Sequence, residues 1–231
     1  MDDTRSRVSG TARVDGYPDL VARGRSPRAS EVLAERIRAA SAAAGVPRTI
    51  VLIDGHSGAG KTTLATELAY DLKAQHVALD AFYPGWGGLE VGSAMVRGVL
   101  DPENPGYHRW DWKRHQRAEW HKVNGKRDIV IEGSGAMSRA NRALATFGIW
   151  IRLDQVERKR RAFARDGARY HEHWDRWAAQ EQAFFLRERP DTLADALLDG
   201  RTGQVLFKAD LDAAPPPTLD ARVEGQAPPA S

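Results

Sequence analysis

IDGHSGAGKTTLATELA, residues 53–69, is the stretch on which the fold turns. Gly55 to Thr62 fits the pattern G-x-x-x-x-G-K-[ST]. The preceding TIVLIDG (49–55) is apolar and β-branched, as in a strand buried on both faces, and the residues after Lys61 have helical spacing. Between a strand and a helix, such glycines let the backbone curl so that successive N–H groups point at phosphate oxygens, and the helix adds its positive N-terminal end. Gly55, Ser57, Gly58, Ala59, Gly60, Lys61, Thr62 and Thr63 are therefore the expected nucleotide-binding residues. Lys61 is expected to reach the β- and γ-phosphates, and the Thr62 hydroxyl to bind Mg²⁺.

Outward from that loop, the chain alternates strand-like and helix-like runs. HVALD (76–80), DIVIEG (128–133), FGIWIRL (147–153) and, more weakly, ADALLD (194–199) are short and apolar. Helical patterns cover 61–72, 111–123, 155–166 and 170–187, and Ser30 is placed to cap a helix running to Ala44. This alternation predicts an α/β fold, with a central, mostly parallel five-stranded sheet flanked by helices.

Bulk properties set the limits. A chain of 231 residues, 42% hydrophobic, can bury one core with a lobe or lid attached. Thirty-four Lys+Arg against 31 Asp+Glu give a net charge of +3, too mild to argue for a nucleic-acid partner, while acidic small molecules stay plausible. With no cysteine there is no disulfide and no thiolate metal site. No apolar run approaches the roughly 20 residues of a membrane span, and the opening residues show no signal pattern. The expectation is a cytoplasmic protein with no membrane partner, and a homo-oligomer is left open. Residues 1–28 and the proline-bearing 213–231 read as disordered, leaving a domain over 29–212.

Asp80 ends the strand HVALD at the carboxyl edge of the sheet, where open α/β sheets place their binding groups. A carboxylate there can bind Mg²⁺ and take the proton from an attacking hydroxyl. Glu132 ends DIVIEG in the same way, as a second carboxylate near the metal.

Four blocks now stand in order: the phosphate loop, DAFY (80–83), WDWKRHQR (110–117) and VIEG (130–133). In these the chain resembles the uridine–cytidine kinases and their phosphoribulokinase-like relatives. The resemblance implies a P-loop kinase fold with a substrate-binding insert at about 81–127 and a lid at about 158–175. It implies ATP-dependent phosphorylation of a ribonucleoside 5′-hydroxyl, as in uridine or cytidine. Asp80 then looks like the catalytic base and a metal carboxylate, Glu132 like its Mg²⁺ partner, and Tyr83 like part of the acceptor pocket. Trp110, Trp112 and His115 fall where the family has a tyrosine, a phenylalanine and a histidine around the base. The sequence departs from the family at Trp110, whose indole can only donate. The segment DPENPGYHRW (101–110) is also short and lacks the family's D-H-P, leaving Asp101 as the candidate for ribose hydroxyls. Another small alcohol (a sugar, a vitamin-like acid or a natural product) stays open as the acceptor. An ATP-binding switch protein without an acceptor is the alternative of another class.

QVERKRRAFARDGARYHEHWDRW (155–177) is basic and leads into an aromatic helix, as an arginine-bearing lid would. Arg161 and Arg165, four apart on one helix face, are the lid candidates, with Arg158 and Arg169 behind them. Trp174, Trp177 and Phe184 read as a buried stripe without chemistry. His171 and His173, two apart, fall on different sides of a helix and give no zinc spacing. His56 reads as a freely variable loop position.

Overall fold

A computed structural model describes residues 27–166 and 168–212. The segments 1–26 and 213–231, expected to be disordered, lie outside the described residues. In chain order the elements run α1 (Ala29–Ala44), β1 (Ile50–Gly55), α2 (Lys61–Leu72), β2 (Gln75–Ala78), α3 (Leu89–Val99), β3 (Gly106–Asp111), β4 (Gln116–Lys122), β5 (Ile129–Glu132), α4 (Arg139–Arg142) and β6 (Phe147–Arg152). They continue with α5 (Gln155–Asp166), α6 (Ala168–Glu188), α7 (Pro190–Leu193), β7 (Ala196–Asp199), β8 (Val205–Phe207) and α8 (Lys208–Asp212).

The main sheet has the order β2-β5-β1-β6-β7-β8. Its first five strands are parallel, as expected, and β1 lies at their centre. The sixth, β8, adds antiparallel to β7, which corrects the strand count from five to six. Three residues are too few to show a period in sequence. Alternate side chains of the central strands build two cores. Leu52, Ile129 and Ile131 meet Phe82, Leu89, Val96 and Phe184 on the α3/α6 face. Val51, Ile53, Val130 and Ile149 meet Leu33, Ile37, Leu64 and Leu68 on the α1/α2 face. Every strand that needed cover on both sides reads as an unbroken apolar run, and each fully buried Leu or Ile contributes about 1.5–3 kcal/mol.

Two local expectations are corrected. Arg28, not Ser30, is the N-cap of α1: its backbone N–H donates to Glu31 at 2.9 Å, while Ser30 is buried in the first turn. Residues 111–123 form no helix; β3 and β4 pair antiparallel as a separate hairpin. At its tip Asp111 Oδ1 accepts the N–H groups of Lys113 and Arg114 at 2.9 and 3.0 Å, and His115 takes a left-handed φ of 51°. That side chain-to-backbone turn competes with a helical start and sets the reversal between the two strands.

Candidate active site

The phosphate loop leaves β1 at Gly55 and enters α2 at Lys61. It needs glycine at 58, where φ is +81° and a Cβ would strike the carbonyl oxygen of Arg158 on α5. Lys61 curls back over the loop: its Nζ donates to Gly55 O at 2.8 Å, His56 O at 3.1 Å and Ser134 Oγ at 3.2 Å. The ammonium is thus held where carbonyl oxygens mark a cation's place, beside the loop's N–H groups.

Sheet register places the carboxylates. Glu132 pairs with Ile53 of β1 and with Ala78 of β2, so it sits beside the loop. Its Oε1 accepts the Thr62 hydroxyl at 2.9 Å and lies 3.8 Å from His76 Nε2. Burial pushes this carboxyl up, but His76, the Lys61 charge and Thr62 together hold it below the usual range. Asp80 follows β2 in a short turn, Leu79–Ala81, and is exposed. One hydroxyl and two carboxylates are oxygen donors suited to Mg²⁺, which fills the rest of its octahedron with water and phosphate. The donor set fits that ion, with Thr62, Asp80 and Glu132 as the residues that would hold it.

Asp80, Glu132 and the loop residues Ser57, Gly58, Gly60, Lys61, Thr62 and Thr63 open on one cavity of about 630 Å³. Tyr83, Trp86, Trp112, His115, His173 and Trp177 form its aromatic lining, and Arg165 and Glu172 also face it. Tyr83 is buried, with its hydroxyl donated to Ser134 O at 2.7 Å, and burial pushes its phenol far up. Trp112, near the hairpin tip, donates Nε1 to Asp80 O at 2.9 Å and so ties the hairpin to the turn that carries Asp80. Trp86 stacks on His173 with centroids 4.5 Å apart and meets Trp112 at 5.1 Å.

Other sequence-derived candidates are not brought into this cavity. Trp110 borders a different one, about 370 Å³, between the hairpin and α3 with Phe82, Met95 and Trp120. The hairpin's irregularity between His108 and Trp110 accompanies this. Asp101 closes a turn by accepting the N–H groups of Glu103 and Asn104 at 2.9 and 2.8 Å. Arg161 is held by Glu157 on its own helix at 2.7 Å and by Gly200 O at 3.4 Å. Only Arg165 of that pair lines the cavity, because Glu157 and Gly200 O hold the Arg161 guanidinium elsewhere. The side chain of Arg169 lies outside the described residues.

Arg158, expected behind the lid pair, is instead buried against the loop, donating to Ser57 O at 3.3 Å. Other residues were missed. Trp177, read as core alone, also lines the cavity and sits one helical turn from Glu181, a fully buried acid in the same stripe. An acid inside an apolar helix face was the available signal. Asp54 is wholly buried at the end of β1 and accepts Gly55 N, Gly135 N and Met137 N at 2.7, 3.1 and 2.8 Å, which joins the loop to the turn after β5. Burial pushes its carboxyl up to about 7, against those three donors and Lys61. His56 is not a free position: its ring packs edge-on to Phe185 and Trp150 at 4.6 and 5.7 Å, away from the cavity just described.

No protein-family model matches this sequence, and no curated protein matches it. Among solved structures, the chain is similar to a protein assigned as a fructose transport system kinase from Silicibacter sp. TM1040. There the identity is 18% and the TM-score 0.51, over 71% of this chain and 94% of that one. It is also similar to a candidate uridine kinase from Bacillus stearothermophilus, at 18% identity and TM-score 0.46 over 72% and 98% of the two chains. The first likeness shows the fold: a mainly parallel sheet flanked by helices, with the phosphate loop at its centre. No helix among the described residues is long and apolar enough to cross a membrane.

Proposed function

We propose that this protein transfers the γ-phosphoryl group of ATP to a hydroxyl of a small-molecule acceptor. The observation that carries the reading is the convergence of phosphate loop, Asp80 and an aromatic wall on one cavity of about 630 Å³. A nucleotide-operated switch needs the loop but has no use for an aromatic chamber beside an exposed carboxylate.

The loop N–H groups and Lys61 hold the phosphates. Thr62, Asp80 and Glu132 would hold Mg²⁺, which when bound would neutralise phosphate charge. Asp80 accepts the proton of the acceptor hydroxyl as its oxygen bonds to phosphorus and the bond to the β-phosphate oxygen breaks, releasing ADP. Arg165 faces the same space and stabilises the charge on the phosphoryl group in flight. Residues at about 158–175, on α5 and the start of α6, serve as the lid, and residues at about 81–127, with α3 and the hairpin, as the acceptor insert.

The family resemblance points to a nucleoside such as uridine or cytidine as acceptor, with Tyr83, Trp112 and His115 around it. A second reading, another small alcohol, is favoured by the position of Trp110, which leaves the base-reading set one ring short.

The test is product formation, read by mass spectrometry, from ATP, Mg²⁺ and a panel of nucleosides, sugars and vitamin alcohols, beside Asp80→Asn. A phosphorylated product lost by about 10²–10⁴-fold in the variant is expected. ATP binding with no product across the panel would sink the reading.

A further inference from the structure

Resting on the phosphoryl-transfer reading, which supplies the place of the acceptor but not its nature, we infer that the acceptor is an uncharged or amine-bearing alcohol with a flat face. Glu172 is the residue that turns acids away.

Five charged side chains among the described residues line the cavity: Lys61, Arg165, Asp80, Glu132 and Glu172. Lys61 is committed to the loop through Gly55, His56 and Ser134. Asp80 and Glu132 stand at the metal end, and Arg165 is needed where phosphate charge develops. Glu172 is left without a part. Its carboxylate is exposed and forms no ion pair or hydrogen bond among the described residues. It sits on α6 one residue before His173, which covers one face of Trp86, and five before Trp177.

An unpaired carboxylate over a tryptophan wall is the arrangement a protonated amine satisfies twice, by Coulomb attraction and by the negative ring face. A neutral alcohol gains the aromatic contact and loses nothing. A carboxylate or phosphate on the acceptor meets Glu172, and the two cations among the described residues of the lining, Lys61 and Arg165, already serve the phosphates; like-charge juxtaposition discriminates between ligands of equal shape.

Three probes of one shape separate the charge from the chemistry: 2-phenylethylamine, 2-phenylethanol and phenylacetate. Each is titrated by tryptophan fluorescence into the full chain holding Mg²⁺ and β,γ-methylene-ATP, so that Asp80 and Glu132 are matched by the metal. The amine and the alcohol are expected to bind, with phenylacetate about fivefold weaker than the amine at low salt. Glu172→Gln brings amine and acid to within about twofold, Glu172→Lys inverts their order, and raised salt narrows the wild-type gap. Trp112→Ala removes the signal if the probes sit in this cavity. Equal binding of all three, no binding of any, or an order that survives Glu172→Gln overturns the inference. With ATP and the acceptor panel in place of the analogue and probes, no phosphorylated product alongside an intact charge order overturns phosphoryl transfer and leaves the charge selection standing.

Discussion

Glu181, midway along α6, accepts the backbone N–H of Ser57 at 2.7 Å. The same oxygen takes the Ser57 hydroxyl at 2.8 Å, the Ser134 hydroxyl at 2.7 Å and Trp177 Nε1 at 3.0 Å. A carboxylate only accepts, so it suits a dry place crowded with donors. Phosphate loop, the turn after β5 and α6 thereby meet at one atom, 1% of whose residue is exposed.

Removing that acceptor strands several donors at once. Glu181→Ala is expected to cost about 3 kcal/mol, given ~1–3 kcal/mol for a buried polar group left unsatisfied. Glu181→Gln, which keeps one oxygen, should cost less than half as much. Urea denaturation measures both, and equal stability of the alanine variant and the wild type would refute the role.

Glu132 orients the Thr62 hydroxyl and is expected to help carry Mg²⁺. Glu132→Gln should raise the Mg²⁺ concentration for half-maximal activity by about 10–100-fold, the usual cost of disturbing the groups around a metal. A Mg²⁺ titration of turnover that overlays the wild-type curve would remove Glu132 from the metal site.

Trp112 is both wall and tie. Trp112→Ala should raise the KM for the acceptor about tenfold, typical of an aromatic anchor, with the KM for ATP little changed. Trp112→Phe restores the wall without the N–H donated to Asp80 and should recover most of that KM while kcat stays lowered. A change confined to the ATP KM would place Trp112 on the donor side instead.

His56 carries a pH signature. Burial among aromatic rings, with the nearby charges of Arg158 and Lys61, drops its imidazole to about 4 from 6.5, although Glu181 opposes this. As pH falls from 6.5 towards 4 the unfolded chain gains a proton that the folded one refuses, so stability declines through that window. His56→Phe keeps an edge-on ring and should give a flatter profile of melting temperature between those pH values. An unchanged slope would mean that His56 is protonated in the fold.

The parallel sheet was legible because strands covered on both faces must be apolar throughout, as β1, β5 and β6 are. Gly55 to Thr62 was legible for a different reason: curling a backbone around phosphate leaves little choice of residue. The hairpin was misread because Trp110, Trp112 and the charged run 113–117 carry no strong period, and the decision fell to the Asp111 turn. Asp54 was illegible because Gly135 and Met137, which it joins to the loop, are distant in sequence; Glu181 showed only as an acid in an apolar stripe, and Glu172 gains its place only from the cavity it lines. Ser134 and Arg158 gained their meaning only when β5 and α5 were laid beside the loop.

Helix α6 touches the phosphate loop through Glu181 and the acceptor chamber through Glu172, His173 and Trp177. Under the proposed reaction, a triphosphate that displaced Ser57 would bear through Glu181 on the helix that carries part of the acceptor wall. Linkage makes the effect mutual: whatever factor ATP adds to the acceptor's affinity, the acceptor must add to that of ATP. Coupling along α6 is read as an acceptor KM that changes with ATP concentration, and independence of the two would mean that the helix carries nothing between the sites.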